Sequence, residues 1–230
     1  MPTILLIRHA QASFGTADYD VLSERGHAQV EALHRSLERR GIVADRVVSG
    51  SLRRQLDTAR PWSSQDAGGD SGATIDERWN ELDNDDVLSH HSAVQTRLTR
   101  GPGETGPEIS SRDFQVVFDQ ALQEWVDAGA ASPSRRSWPD FLSNVKVALD
   151  HFGAGLRSGE TGMAFTSSGV IAALAASLIG VPERAFVPLN RVSVNASITK
   201  VIVGSRGKTL VSYNEHGHLE DASGALVTYR

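Results

Sequence analysis

The feature that most constrains this chain is a short apolar run near its start, Thr3–Ile7, which is followed at once by Arg8 and His9. A run this short, and this rich in residues that suit a buried strand, is typical of an inner strand of an α/β sheet with helices on both faces. Ligands of such sheets bind just beyond the carboxyl ends of the strands. Arg8 and His9 therefore stand where a phosphate and a nucleophile could meet, although two ordinary polar residues could also end a strand there.

Strand-like and helix-like segments alternate along the rest of the chain. Further strands are predicted at Arg46–Ser49, Ala73–Asp76 and Met163–Thr166, with a hairpin at Asn195–Val203 and Lys208–Asn214. Helices are predicted after Ser23, after Ser51, and around Asp113–Val126, Phe141–Phe152 and Val170–Ile179. This order predicts a three-layer α/β/α sandwich with a mostly parallel sheet and an antiparallel last strand. Residues 1–230 are predicted to form one domain, with a helical insertion at about 85–135.

The composition limits the functions open to the chain. A net charge of −5 on 230 residues argues against a general binder of nucleic acid or of anionic membranes. The absence of cysteine excludes disulfides, cysteine–metal sites and thiol catalysis. No apolar stretch approaches the roughly 20 residues of a membrane span, and Met1-Pro2 leads into the first strand without room for a signal peptide. We therefore expect a soluble, cytoplasmic protein.

Three further polar groups stand at predicted strand exits or helix starts: Arg54, Glu81 and the tripeptide Ser167-Ser168-Gly169. Together with Arg8-His9-Ala10 they resemble the histidine phosphatase superfamily, the family of cofactor-dependent phosphoglycerate mutases and acid phosphatases. The similar segments are Arg8-His9-Ala10 for the family's Arg-His-Gly, then Leu22–Gln29, Ser51–Ala59, Arg78–Glu81, and Asn214 with His218-Leu219. The resemblance covers residues 3–219 in the family's order, and it implies a phosphoglycerate mutase-like fold.

The resemblance implies a role for each of these polar residues. His9 is expected to attack phosphorus and become a transient phosphohistidine, and Glu81 to protonate the departing alkoxide. Arg8 and Arg54 are expected to bind the phosphate, because a guanidinium presents a planar fork that can donate two hydrogen bonds to phosphate oxygens. Taken singly, Arg54 could be a surface helix arginine and Glu81 an ordinary helix-start carboxylate. Their joint presence in this order favours the catalytic interpretation.

Ser167 departs from the family pattern, which has a second histidine at this place. A serine hydroxyl can still donate one hydrogen bond to phosphate, and the NH groups of Ser168 and Gly169 at the start of a helix can donate more. The missing positive charge could come from the tail, where His216 and His218 would point the same way if the chain stays extended. These two histidines are therefore auxiliary candidates, His218 being by default a structural residue.

The function predicted from these residues is hydrolysis of a small phosphorylated metabolite through a phosphohistidine, without a cofactor or a metal. The adjacent His90 and His91 do not suggest a metal site, because neighbouring side chains diverge and no carboxylate–histidine set at ligand spacing accompanies them. Two alternatives stay open: a phosphoglycerate mutase-type phosphotransferase, and a degenerate relative that binds phosphorylated ligands with little turnover. A small phosphorylated substrate is the expected partner, whereas nucleic acid and membranes are not. The identity of the substrate and the oligomeric state stay open.

Overall fold

The computed structural model describes residues 1–13, 20–63, 72–90, 111–220 and 224–229. The strands in these ranges are β1 (Thr3–Arg8), β2 (Arg46–Ser49), β3 (Thr74–Ile75), β4 (Thr161–Thr166), β5 (Ile198–Gly204) and β6 (Gly207–Glu215). They form one sheet in the order β3-β2-β4-β1-β5-β6. The chain therefore crosses over repeatedly to build the parallel half of the sheet, and adds a hairpin at the other edge.

The central strands β1 and β4 pair in parallel, with Leu5 opposite Met163 and Ile7 opposite Phe165. β2 is parallel to β4 and to the edge strand β3. β5 runs antiparallel to both of its neighbours, β1 and β6. The predicted sheet, mostly parallel with an antiparallel last pair, is confirmed, and β5 is the strand of opposite direction. The carboxyl ends of β1, β2 and β4 consequently meet at one end of the sheet.

Helices flank the sheet. In the described ranges they are α1 (Glu24–Arg39), α2 (Arg53–Ala59), α3 (Asn84–Ser89), α4 (Ser111–Ala128), α5 (Trp138–Ala154), α6 (Ser168–Ile179) and α7 (Phe186–Val192). The predicted cap of α1 is confirmed, since the Ser23 hydroxyl accepts a hydrogen bond from the Gly26 NH at 3.0 Å. α6 begins at Ser168, two residues before the predicted start, and ends against Gly180 in the left-handed conformation with φ +69°. No described helix has the length and apolarity needed to span a bilayer.

β1 is buried on both faces, and its side chains alternate between two apolar layers. Ile4 and Leu6 belong to one apolar cluster, whereas Leu5 and Ile7 belong to another, as the two-residue period of a strand requires. Helical spacing predicts that five aromatic side chains belong to the core: Phe114, Phe118, Trp125, Phe141 and Phe152. The first cluster contains Trp125, Phe141 and Phe152, and Phe118 packs against it, whereas Phe114 is exposed. The two clusters are the interfaces between the layers of the predicted sandwich, and they hold the end of β1 in a fixed position.

Residues 91–110 of the predicted insertion, which include His91, lie outside the described ranges. α3 and α4 stand on either side of that gap in the sequence and contact each other. The second half of α4 contributes Leu122 and Trp125 to the first apolar cluster. Its first half contributes Phe114 and Phe118 to the wall of a cavity at the carboxyl ends of the strands. α4 thus belongs both to the core and to the surroundings of the candidate site.

Candidate active site

His9 lies directly after β1, at the carboxyl end of the central strand pair. Its Nδ1 is 2.8 Å from the carbonyl oxygen of Ala10, which can only accept, so Nδ1 carries the proton and donates it. Nε2 therefore holds the lone pair, and the Nε–H of Arg54 donates to it over 3.2 Å. Burial, followed by the positive charges of Arg54 and Arg8, lowers the pKa of His9 well below its usual value. The imidazole is thus neutral at neutral pH, with the electron pair of a nucleophile on Nε2.

Arg54 stands in the first turn of α2 and is held by a carboxylate as well as by His9. Its Nη1 donates to one oxygen of Asp20, and the other oxygen of Asp20 accepts a hydrogen bond from the Arg53 NH at 2.7 Å. Asp20 thereby fixes both the start of α2 and the direction of the Arg54 guanidinium. Sequence reasoning missed Asp20, because a single aspartate in the connection between β1 and α1 forms no pattern with the residues it contacts.

Arg8 is the last residue of β1 and is buried beside His9. Its Nη1 donates to two carbonyl oxygens, one of which is that of Tyr229 at 3.1 Å. Tyr229 belongs to residues 224–229, and this segment is anchored by a hydrogen bond from the Asn195 NH to its backbone at 2.9 Å. The end of the described chain therefore orients a phosphate-binding candidate. No motif in the sequence indicates this contact.

Glu81 is held at the start of α6. Its Oε1 accepts a hydrogen bond from the Leu82 NH at 3.1 Å, and its Oε2 accepts from the Gly169 NH at 3.2 Å and the Ser168 hydroxyl at 3.4 Å. Burial raises the pKa of Glu81, although the hydrogen bond from Gly169 and the charge of Arg54 oppose the rise. Compared with an exposed glutamate the carboxyl group is biased toward its protonated form, as a general acid requires.

Ser168 and Gly169 therefore have a different partner from the one predicted for them. Their donors are predicted to bind the phosphate, whereas in the structure these donors are directed to Glu81. A Cβ atom on Gly169 would lie 2.2 Å from Oε1 of Glu81, so the missing side chain is what lets the carboxyl group approach the helix. These two residues position the acid candidate Glu81.

Ser167 does not line the cavity, and its predicted contact with phosphate is not supported. The residue is fully buried, and its Oγ accepts a hydrogen bond from Nε2 of Gln55 at 2.8 Å. The same Nε2 donates to the carbonyl oxygen of Trp79 at 3.1 Å. The physical reason is that Gln55 is itself fully buried and needs acceptors, which Ser167 and Trp79 supply. Ser167 thus links β4 to α2 and to the turn that precedes Glu81.

His216 and His218 do not line the cavity either, so their proposed auxiliary role is not supported. The Nδ1 of His216 donates to the Asn214 carbonyl oxygen at 2.6 Å, and the Nε2 of His218 donates to the Ala196 carbonyl oxygen at 3.0 Å. The extended alternation assumed for the tail is wrong, because Asn214 has φ +58° and residues 217–219 form a 3-10 turn. His218 has the structural role that was its default interpretation.

The side chains that do come together surround a cavity of about 790 Å³. One end of this cavity, which we call the phosphate end, is formed by Arg8, His9, Arg54, Glu81 and Ser168. The remaining wall is formed by residues 82–88, the first half of α4, α7 and Tyr229, together with Ala12, Leu52 and Asn80. Arg8, His9, Arg54 and Glu81 thus meet as their places at strand and helix ends predicted.

No group of three or more histidine, aspartate or glutamate side chains is arranged to hold a metal ion within the ranges that the structure describes. His90 follows α3 and lies 3.7 Å from Asp86 across one turn of helix. That contact is an ordinary ion pair of a helix surface, available when the histidine is protonated.

Comparison with known proteins identifies a family model that matches most of the chain. The model of the histidine phosphatase superfamily, branch 1, matches residues 4–216. No curated protein matches significantly. Similar solved structures include a mutant phosphoserine phosphatase of Entamoeba histolytica in complex with phosphoserine, at 17% identity over 96% of this chain and 100% of that chain, with a TM-score of 0.64. YhfR of Bacillus stearothermophilus is 21% identical over 96% and 100%, with a TM-score of 0.66.

A mycobacterial glucosyl-3-phosphoglycerate phosphatase in complex with VO3 is 20% identical over 93% of this chain and 99% of that chain, with a TM-score of 0.61. At these identities the structural likeness shows the fold, which is the phosphoglycerate mutase-like fold that the family resemblance implied. The family model covers nearly all of the chain, including β1 with Arg8 and His9, α2 with Arg54, and Glu81. The chain therefore belongs to the histidine phosphatase superfamily.

Proposed function

We propose that this protein is a phosphomonoesterase that transfers the phosphoryl group of a small phosphorylated metabolite to Nε2 of His9 and then to water. The observation that carries the proposal is the state of His9. Its Nδ1 proton is engaged by the carbonyl oxygen of Ala10, its Nε2 lies beside Arg54, and its pKa is lowered. A neutral imidazole held in this way has an electron pair on Nε2 that can attack phosphorus once the Arg54 guanidinium donates to the phosphate instead. Membership of the histidine phosphatase superfamily supports the same reaction class.

In the first half-reaction the substrate phosphate binds beside Arg8 and Arg54, at the phosphate end of the cavity. Their N–H groups stabilise the charge on the phosphoryl oxygens through the transition state. The bond from Nε2 of His9 to phosphorus forms as the P–O bond to the leaving alcohol breaks. The proton of Glu81 passes to the leaving oxygen. The products of this step are the free alcohol, a phosphohistidine and an ionised Glu81.

In the second half-reaction Glu81 acts as the base. Its carboxylate takes a proton from water while the water oxygen attacks phosphorus and the bond to Nε2 of His9 breaks. Inorganic phosphate leaves, His9 becomes neutral again, and Glu81 is again protonated. Between the two steps the NH groups of Leu82 and Gly169, the latter at the positive end of α6, stabilise the carboxylate.

The directions of the two pKa shifts favour turnover over mere binding. An ordinary histidine is neutral only at a pH above the range in which an ordinary glutamic acid is protonated. The lowered pKa of His9 and the raised pKa of Glu81 move these two ranges towards overlap. A protein that only bound phosphorylated ligands would gain affinity from a cationic histidine. The directions of the two shifts therefore fit the roles of nucleophile and acid, which the binding-only alternative does not require.

Hydrolysis of p-nitrophenyl phosphate in the presence of excess EDTA tests the proposal. We expect release of inorganic phosphate at a rate that the chelator does not change, because no step of the mechanism uses a metal. Orthovanadate should inhibit by occupying the phosphate end of the cavity. Binding of vanadate without any hydrolysis would instead support the binding-only alternative. Faster transfer of the phosphoryl group to added phosphoglycerate than to water would support a mutase.

Arg54→Lys should lower kcat/KM sharply although it keeps the positive charge. An ammonium cannot donate through a planar fork to phosphate and also satisfy Asp20, so we expect a loss of about 3 kcal/mol, or roughly 100-fold. The matched control is Arg53→Lys, since the Arg53 side chain is 60% exposed and its Nε is 3.8 Å from Asp57. The control should stay within about twofold of the wild type, because exposed ion pairs contribute little. Equal losses in both variants would contradict a specific role for Arg54.

A further inference from the structure

Beyond the phosphate end, the cavity has an apolar wall formed by Leu82, Leu88, Phe114 and Phe118. The rings of Phe114 and Phe118 are stacked, with centroids 6.2 Å apart and planes 7° from parallel. Leu88 and Phe118 also pack against the first apolar cluster, which fixes their positions. Contact between this wall and a ligand makes binding more favourable in proportion to the apolar area that is removed from water.

The charges around the same part of the cavity disfavour a second anionic group on the ligand. Asp83 and Asp85 line the cavity near the start of α3, and both are exposed. Among the described lining residues outside the phosphate end, the cation is Arg191, and its Nε is ion-paired with Asp119 at 2.6 Å. Asp83 also lies 3.7 Å from Nη1 of Arg135, so Asp85 contributes more of the unfavourable charge. A carboxylate or a second phosphate placed beside Asp85 would meet a like charge, and the cation of this wall already has a carboxylate partner.

The position of Glu81 connects the apolar wall to the reaction. The oxygen that Glu81 protonates belongs to the leaving alcohol, so that alcohol must lie against the residues next to Glu81. Leu82 is part of the apolar wall and lies close to the carboxyl group of Glu81, because a Cβ atom on Gly169 would be 2.6 Å from Cδ2 of Leu82 and 2.2 Å from Oε1 of Glu81. The leaving group is therefore directed along the wall, away from Arg8 and Arg54.

From these observations we propose that the substrate is a phosphate monoester of an apolar, uncharged alcohol, aromatic or aliphatic, whose leaving group packs against Leu82 and Phe118. A ligand with a carboxylate or a second phosphate on its leaving group is disfavoured. This inference rests on the proposed phosphomonoesterase function, because it takes the phosphate to bind at Arg8 and Arg54. It concerns binding as much as turnover, and it can be tested without hydrolysis.

The test compares two phosphonates, whose C–P bond the protein cannot hydrolyse, by isothermal titration calorimetry. Benzylphosphonate carries an apolar ring, and 2-carboxyethylphosphonate carries a carboxylate at a similar distance from phosphorus. We expect benzylphosphonate to bind at least about tenfold more tightly to the wild-type protein. Equal affinities, or tighter binding of 2-carboxyethylphosphonate, would overturn the inference.

Two variants locate the preference on the wall. Phe118→Ala should weaken benzylphosphonate about tenfold and leave 2-carboxyethylphosphonate within about twofold. Val116→Ala is the matched control, because Val116 is on the same helix, is 51% exposed and does not line the cavity. Asp85→Asn, an exposed position where folding is not at risk, should tighten 2-carboxyethylphosphonate about threefold and leave benzylphosphonate unchanged. A preference that survives both Phe118→Ala and Asp85→Asn would contradict the assignment.

Turnover separates this inference from the proposed function. If 2-phenylethyl phosphate and 3-phosphoglycerate are both left intact while benzylphosphonate binds with the expected preference, the phosphomonoesterase proposal fails and the binding inference stands. If both esters are hydrolysed and 3-phosphoglycerate has the higher kcat/KM, the phosphomonoesterase proposal stands and the inference fails. Faster hydrolysis of 2-phenylethyl phosphate supports both.

Discussion

His9→Ala should lower kcat for any phosphate monoester by at least about 10⁴-fold, as expected when the nucleophile of a covalent mechanism is removed. The same variant should no longer take up phosphate from a labelled substrate. In the wild type, rapid mixing and quenching should trap a protein-bound phosphate that is stable in alkali and lost in acid. That lability distinguishes a phosphohistidine from a phosphoserine.

The fold should survive this substitution. The backbone of His9 is held by a hydrogen bond to the Thr166 carbonyl oxygen at 2.8 Å, and this bond does not involve the ring. Arg54 loses one partner and keeps Asp20. His27→Ala is the matched control, because His27 lies exposed on α1 and should leave kcat unchanged. Hydrolysis at the wild-type rate by the His9 variant would rule out the phosphohistidine mechanism.

The secondary structure could be predicted because its signals are local. The run Thr3–Ile7 is apolar at every position except the first, as a strand buried on both faces must be, and β1 occupies it. Ser23 caps α1 through a contact within one turn, so the residue type and the spacing were sufficient. The strand at Arg46–Ser49 was also predicted from a local signal, and its predicted bounds are those of β2. None of these features depends on residues distant in the chain.

The phosphate end of the cavity could be predicted in part, because strand order turns local motifs into neighbours. Parallel pairing of β1 with β4 places Arg8 opposite Thr166, and the residues that follow each strand then share one end of the sheet. No such rule predicts the contacts that Asp20 and Tyr229 make. Each contacts an arginine of the site through a long-range contact that only the complete fold creates.

Side-chain direction was the part that the sequence could not provide. Ser167 lies between β4 and α6 as predicted. Its Oγ, however, accepts a hydrogen bond from Gln55 and does not face the cavity. The donors of Ser168 and Gly169 at the start of α6 are likewise present, but Glu81 occupies them. The helix start that could have bound phosphate therefore serves the acid in this structure. A family pattern predicts where a residue lies in the fold. Its hydrogen-bond partner depends on which nearby buried polar groups still need one.

Glu81→Gln should affect substrates according to how much help their leaving group needs. For an alkyl phosphate, whose alkoxide must be protonated as it departs, we expect the rate of His9 phosphorylation to fall about 10³-fold. For p-nitrophenyl phosphate, whose phenolate leaves without a proton, the loss in phosphorylation of His9 should be less than about tenfold. Glutamine keeps the size of the side chain and an acceptor oxygen for the Gly169 NH. The difference between the two substrates therefore reports the proton and not the packing.

The pH profile gives an independent check on the same residue. Glu81 must be protonated to act as an acid, so the alkyl phosphatase rate should be lost as pH rises through its pKa, which burial places above the usual range for glutamate. His9 must be neutral, so the rate should also be lost as pH falls through its lowered pKa. In Glu81→Gln the loss at higher pH should disappear while the loss at lower pH stays. Glu77→Gln is the matched control, because Glu77 is exposed in the turn before Glu81. This variant should lose activity at both low and high pH, as the wild type does. If Glu81→Gln slows both substrates equally and still loses activity at both low and high pH, Glu81 is not the proton donor.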